Sequence, residues 1–295
     1  MFLAREKVTS KLYALKLLRK KDIIKRNQVE HTFTERSVLG YISHPFIIEM
    51  KMAFQSKDNL YFVLNYCPGG ELFTQINKMG GFSEPRTAFY AAEITLALVY
   101  IHKLDIVYRD LKPENVLLDA EGHIKIADFG LSKEGVQSNS SGSRSFVGTA
   151  DYLAPEIFKR EEYGLSVDWW SLGCLTYEML TGYPPFYHHQ NINMTRTKVL
   201  KGDIKFPESF SPEVNSFCLG LLNRDAQQRL GSESRDATSI KRHPFFFGIN
   251  WIKLEAKEIT PQWKPQIKEE LDTSQFDSTF TTMPVTIQSN QVSFE

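Results

Sequence analysis

At 295 residues the chain is long enough for about two domains, and 42% hydrophobic with 13% aromatic residues suffices for large cores. Thirty-five basic residues balance 35 acidic ones, so nothing in the charge marks nucleic acid or a membrane surface as a partner. The cysteines, Cys67, Cys174 and Cys218, lie far apart. That excludes a disulfide framework and a zinc spacing, and it suits reduced thiols of the cytosol, or also the nucleus. No apolar run is long enough to span a bilayer, and the N-terminal stretch lacks the apolar core of a signal peptide.

The chain opens with two expected strands in residues 1–18, joined by a polar turn from Glu6 to Lys11. Lys16 sits among apolar residues of the second. A helix is expected from Val29 to Ile42, with Val29, Phe33, Leu39 and Ile42 on its apolar face and Glu35 on its length. A buried pair of Lys16 and Glu35 would aim the ammonium at phosphate oxygens, each ion satisfying the other away from water. Strands follow at 49–55 and 59–65, turned at Ser56-Lys57-Asp58. Tyr66-Cys67-Pro68-Gly69-Gly70-Glu71 then ends the sheet. Proline and glycine cannot continue a strand, so this is expected to be a hinge. A hinge backbone can offer a carbonyl and an amide to an adenine edge.

A long helix starting at Glu84-Pro85, with proline in its first turn, runs to Ile101 and leads into Tyr108-Arg109-Asp110-Leu111-Lys112-Pro113-Glu114-Asn115. The strand Val116-Leu117-Leu118 follows at once, so Asp110, Lys112 and Asn115 fall on one sharply turned loop. Phosphoryl transfer needs such a group: a carboxylate to orient the attacking hydroxyl, a cation for the moving phosphoryl group, and an amide oxygen for magnesium. Asp128-Phe129-Gly130 adds a second carboxylate on a turn behind a strand, and Asp-x-x-x-x-Asn followed by Asp-Phe-Gly is a specific pair of signals. The run from Ser138 to Ser145 is rich in serine and glycine and is expected to be loose when unmodified. Ser166–Leu180 is apolar on nearly all sides, as in a central buried helix. Beyond Phe247 the helical pattern stops. Trp251, Trp263, Phe276 and Phe280 are too many large apolar groups for a free linker, so residues 248–295 are expected to strap back over the molecule.

These motifs together resemble the eukaryotic protein kinases over essentially the whole chain. "YALK" with Lys16, Glu35, "YRDLKPEN", "DFG" and "GTADYLAPE" carry the likeness. Tyr108 before Arg-Asp, "PGGELF" and "FDSTF" are similar to the AGC serine/threonine branch, with protein kinases B and C nearest. The resemblance implies an α+β bilobal fold: a β-rich small lobe at 1–66, a mainly helical large lobe at 67–247 and an AGC-type tail at 248–295. It implies ATP and magnesium as cofactors. Asp110 would be the base and Lys112 would meet the γ-phosphoryl group, with Thr149 bonded to both. Asn115 and Asp128 would hold the metal. Lys16 and Glu35, the hinge residues Asn65 and Cys67, Glu71, and Phe276 would border ATP, between Ala14 and Leu117 above and below the adenine. Leu39, Met50, Tyr108 and Phe129 would stack between the lobes, Glu156 would pair with Arg229, and Asp168 would hold the catalytic-loop backbone.

Regulation and specificity are implied in the same way. Ser145 holds the position phosphorylated by an upstream activating kinase, with Arg109, Lys133 and His31 to grip the phosphate. Thr282 within "TTMPV" matches the turn-motif phosphosite. Glu71, Glu114 and Glu178 match carboxylates that bind arginines upstream of a substrate Ser or Thr, since a carboxylate pairs bidentately with guanidinium. Ala150-Asp151 replaces the commoner Pro-Glu. Two patterns are absent from the sequence: the terminal F-x-x-F-S/T-Y motif, "NQVSFE" standing last, and the G-x-G-x-x-G-x-V loop, whose final valine aligns with Met1. Either the sequence is part of a longer chain, or it is a variant with weakened nucleotide binding that works as a catalytically impaired scaffold.

Overall fold

The computed structural model describes residues 1–138, 142–188 and 191–283. Asn139–Ser141 of the serine-rich run and the stretch from Pro284 on, with Val285 and Phe294, lie outside the described residues.

The small lobe is an antiparallel sheet of order β1-β2-β4-β3, built from β1 (Phe2–Arg5), β2 (Leu12–Arg19), β3 (Met50–Gln55) and β4 (Asn59–Asn65). β2 and β4 pair from Tyr13↔Asn65 to Arg19↔Asn59, which places Lys16 opposite Phe62. Two helices follow β2, α1 (Lys20–Lys25) and α2 (Val29–Leu39). The stripe of α2 differs from the sequence expectation. Thr32, Glu35, Val38 and Leu39 are buried, whereas Val29 and Phe33 are 40% and 66% exposed. The helix is turned so that Glu35 reaches Lys16 of β2 while Val38 and Leu39 enter the core. α2 also stops at Gly40 rather than running to Ile42, which is buried just beyond it.

The large lobe begins with α3 (Leu72–Met79) and α4 (Glu84–Lys103), continues through the hairpin β5 (Val116–Leu118) and β6 (Ile124–Ile126), and then holds α5 (Pro155–Lys159), α6 (Ser166–Thr181), α7 (Ile192–Lys201), α8 (Pro212–Leu221) and α9 (Thr238–Lys241). α6 is buried nearly all round, as its sequence demands. Its adjacent tryptophans serve two cores. Trp169 joins the cluster that also holds Leu39, Tyr108 and Phe129. Trp170 joins a second cluster and stacks on Phe186 at 5.4 Å.

The tail is more regular than expected. Short helices form at α10 (Trp251–Glu255), capped by the Asn250 side chain, and α11 (Ser278–Thr281). Its strap-like course is built from contacts to both lobes: Arg5–Glu270 at 2.9 Å, Lys257–Asp119 at 2.7 Å, and Gln75–Gln275 at 3.0 Å. The backbone comes so close at Gly70 that a Cβ there would lie 2.5 Å from the Gln275 carbonyl oxygen.

Arg229 is 2% exposed and binds Glu156 through two parallel bonds of 2.7 and 2.9 Å. It also donates to the carbonyls of Ser166 and Asn223. Removing one partner of such a pair strands a buried charge. Arg229→Ala is therefore expected to lower unfolding free energy by about 3–5 kcal/mol, read by urea denaturation, with Arg229→Met plus Glu156→Met costing much less. Equal losses in the two variants would show that packing, not the stranded charge, sets the cost.

Candidate active site

Asp110 is the centre of a bonded group on the loop between α4 and β5. Its carboxylate is 3.0 Å from the Lys112 ammonium. It accepts from Thr149 Oγ1 at 3.2 Å and from Asn115 Nδ2 at 2.8 Å. Lys112 also donates to Thr149 at 2.8 Å, and Asn115 Nδ2 donates to the Asp110 carbonyl at 2.8 Å. Both Asn115 hydrogens are thus spent on Asp110, which leaves the amide oxygen as the end not engaged with it. Asp110 itself is 7% exposed, so its lone pairs are aimed by neighbours rather than averaged by water.

The loop is shaped from behind. Asp168, in the first turn of α6 and fully buried, accepts the backbone N–H groups of Tyr108 at 2.9 Å and Arg109 at 2.8 Å, and meets His102 Nε2 at 2.8 Å. Arg109 has φ +70°, a left-handed backbone that a long side chain adopts only when its surroundings enforce it. The His102 contact was not legible in the sequence; a histidine ending an apolar helix reads as ordinary core.

Across the cleft, Lys16 Nζ lies 2.6 and 2.7 Å from the two oxygens of Glu35 and 3.8 Å from Asp128. Burial pushes the Glu35 carboxyl up, and the Lys16 ammonium opposes that rise. Asp128, at φ +55°, keeps its side chain half exposed. Phe129 packs edge-on to Tyr108 at 5.1 Å. Leu39 is buried in the same cluster and Met50 packs against it. Ala14 and Leu117 are half-buried beside that cluster, and Cys67 is within it. Asn65 donates from Nδ2 to Glu49 at 3.0 Å, and Phe276 stacks on Tyr66 of the hinge at 6.1 Å.

Glu71 and Glu178 each lie within the field of Glu114. Burial raises the Glu71 carboxyl and Glu114 adds to it. Burial pushes Glu178 up to about 7, opposed by a hydrogen bond from Tyr152 and assisted by Glu114 and Asp151. One Glu114 oxygen is buried with no hydrogen-bond partner. Among the described residues no salt bridge pairs a cation with Glu71, Glu114 or Glu178, and Glu178 accepts from the Tyr152 hydroxyl.

Ser145 is exposed and its hydroxyl takes a 2.7 Å bond from Arg109 Nη1. Lys133 donates to the Gly142 carbonyl at 2.6 Å, and His31 lies against Gly130. Within the run expected to be loose, Ser143 is buried and exchanges two 2.9 Å backbone bonds with Tyr163. Tyr163 also bonds Ser145, a role the sequence did not disclose. Thr282 is exposed, its hydroxyl on the Ser278 carbonyl at 2.8 Å.

Comparison with known proteins identifies the family. Residues 1–246 match the protein kinase domain model and residues 267–293 the protein kinase C terminal domain model. The chain is 51% identical over 277 residues to Protein kinase 2 of Dictyostelium discoideum, 46% over 287 to the RAC-beta serine/threonine-protein kinase of Homo sapiens, and 49% over 285 to the serine/threonine-protein kinase akt-1 of Caenorhabditis elegans. These alignments take in 94%, 97% and 97% of this chain but 57%, 59% and 52% of the relatives, so the chain spans little more than half their length. The chain belongs to the protein kinase family, in its AGC serine/threonine branch.

Proposed function

We propose that the protein transfers the γ-phosphoryl group of ATP to serine or threonine hydroxyls of proteins that carry arginine upstream of the target. The observation that carries this reading is the Asp110 carboxylate, held by Thr149 and Asn115 with the Lys112 ammonium 3.0 Å away. Asp110 accepts and orients the substrate hydroxyl. Lys112 balances negative charge as it moves from the phosphoryl group to the leaving oxygen. Thr149 holds the two in register. Lys16, fixed by Glu35, grips the phosphates of the nucleotide. Ala14, Leu117, Phe276, Glu71 and the hinge residues Asn65 and Cys67 border its base and sugar.

Magnesium fits the residues present. The free end of the Asn115 amide and the half-exposed Asp128 carboxylate offer hard oxygen donors, and Mg²⁺ sites commonly use one or two carboxylates plus phosphates. The ion would neutralise charge on the nucleotide phosphates. The lobes divide at 66/67 and the tail starts at 248. Phosphates on Ser145, which would meet Arg109, and on Thr282, placed by other kinases, activate the enzyme. Among the described residues no helix is long and apolar enough to cross a membrane, and the three buried free thiols favour the cytoplasm, with the nucleus open to it.

Mg-ATP is expected to raise the melting temperature of the protein by several degrees, since a ligand of the folded state alone must stabilise it. Asp128→Asn is expected to remove the magnesium-dependent part of that shift and to abolish phosphoryl transfer to an arginine-containing peptide. No shift with the unaltered protein would leave a kinase-like scaffold. Ser145→Ala is expected to lower the activity of protein treated with an activating kinase to that of untreated protein; equal gains in both would remove Ser145 from activation.

Glu178 generates a pH prediction. Its folded pKa of about 7 lies above the ordinary 4.5, so the stability it contributes in acid is lost as pH rises through 7. Glu178→Gln never ionises. It should gain stability over the unaltered protein between about pH 5 and pH 8, by on the order of 3 kcal/mol. Over the same window the affinity for an R-x-x-S peptide should rise, because guanidinium binds the ionised form. A pH-independent stability difference would remove Glu178 from the titrating cluster.

A further inference from the structure

Arg86, in the first turn of α4, is 6% exposed. A buried guanidinium is costly without a counter-ion, yet it makes no ion pair among the described residues. Its Nε and Nη2 have no close hydrogen-bond partner, Nη1 donates to the Met79 sulfur at 2.8 Å, and the Tyr90 hydroxyl lies within its field. What surrounds it is aromatic. The guanidinium carbon is 3.9 Å from the Phe82 ring centroid, 5.4 Å from Tyr90 and 5.1 Å from Trp263. Ring faces are negative and attract a cation most where water is excluded, and guanidinium is weakly hydrated enough to stack on them.

Phe82 and Tyr90 belong to the large lobe. Trp263 belongs to the tail. The third wall of the box is therefore supplied by the tail segment, whose backbone is pressed against the β5–β6 turn at the same place. A Cβ on Gly122 would stand 2.1 Å from the Trp263 carbonyl oxygen. Downstream of this point the Asp272 carbonyl takes the Tyr66 hydroxyl at 3.0 Å, Gln275 meets Gln75, and Phe276 stacks on Tyr66. Between Trp263 and the hinge these contacts of the tail are made by neutral polar groups, one of them the buried Gln75. The box at Arg86 is the buried fixture upstream of them.

We propose that Arg86 is a positioning residue for the nucleotide site: its buried guanidinium holds Trp263, and the anchored tail keeps Phe276 on the hinge. The coupling to nucleotide rests on the ATP-dependent reading above; the anchoring does not. A cation in an aromatic box contributes a factor of several to about thirty in the docking equilibrium. Arg86→Met keeps the apolar volume and removes the charge. In the full-length protein it is expected to speed amide hydrogen exchange of the segment 257–276 by about tenfold. Exchange in α4 and α6 should stay unchanged. The dissociation constant for Mg-ATP should weaken by a similar factor. Arg86→Lys, still cationic, should recover most of both effects.

Trp263→Leu alters only the half-buried tail partner and covers the case in which Arg86→Met fails to fold. It should release the same segment and add little when combined with Arg86→Met. Unchanged exchange in 257–276 in these variants, or an equal rise throughout the large lobe, would overturn the anchoring. A released tail with unaltered Mg-ATP affinity would overturn the positioning role. If the unaltered protein binds no Mg-ATP, the ATP reading has failed, and the exchange data still decide the anchor.

Discussion

The buried carboxylate of Asp168 fixes the backbone from which the rest of the site is built. Two consecutive amides, of Tyr108 and Arg109, converge on its oxygens, and this stabilises the left-handed turn at Arg109. Strain of that kind costs on the order of 1–3 kcal/mol and persists only where the surroundings over-determine it. The turn sends neighbouring side chains to different tasks. Tyr108 packs under Phe129, Arg109 extends to Ser145, and Asp110 enters the cleft. One charged group on α6 thereby links the Tyr108–Phe129 stack, the Ser145 segment and the bonded group around Asp110.

Charge is then distributed in two contrasting ways. At Lys16, Glu35 and Asp128 opposite signs are paired, and burial of Glu35 is tolerable because both its oxygens are bonded. At Glu71, Glu114 and Glu178 like signs are gathered with no internal cation among the described residues. One Glu114 oxygen stays unsatisfied there, and the Glu178 carboxyl is raised chiefly by its burial, with Glu114 adding to it. Glu178 is buried and takes a hydrogen bond from Tyr152, whereas Glu71 and Glu114 are half-buried.

The tail completes the molecule without forming a core of its own. It is held at intervals: by Lys257 on Asp119, by Trp263 over Arg86, by Gln275 against Gly70 and by Phe276 on the hinge. Two of these approaches require glycine, since Gly70 and Gly122 have φ of +72° and +93° and no room for a side chain. A strap fixed at discrete points can detach from one end, and its far end packs on Tyr66 through Phe276.

The strands β1 to β4, the turn that ends the sheet and the loop that carries Asp110 were legible because local signals specify them, whereas the short helix α1 was not. Pro and Gly stop the sheet at 68–70, alternation marks β2, and Asp110, Lys112 and Asn115 are close in sequence, so one turn must bring them together. The sequence also determined that Lys16 and Glu35 were candidates to pair. Which face of α2 is buried depends on the sheet and lobe packed against it. The pattern favoured Val29 and Phe33, but the face that meets β2 and the core carries Glu35, Val38 and Leu39. The aromatic box around Arg86, the His102–Asp168 contact and the Tyr163–Ser145 bonds were equally beyond the sequence. Each joins residues from separate segments, and no periodicity or spacing along a chain records which distant side chain will supply the missing partner.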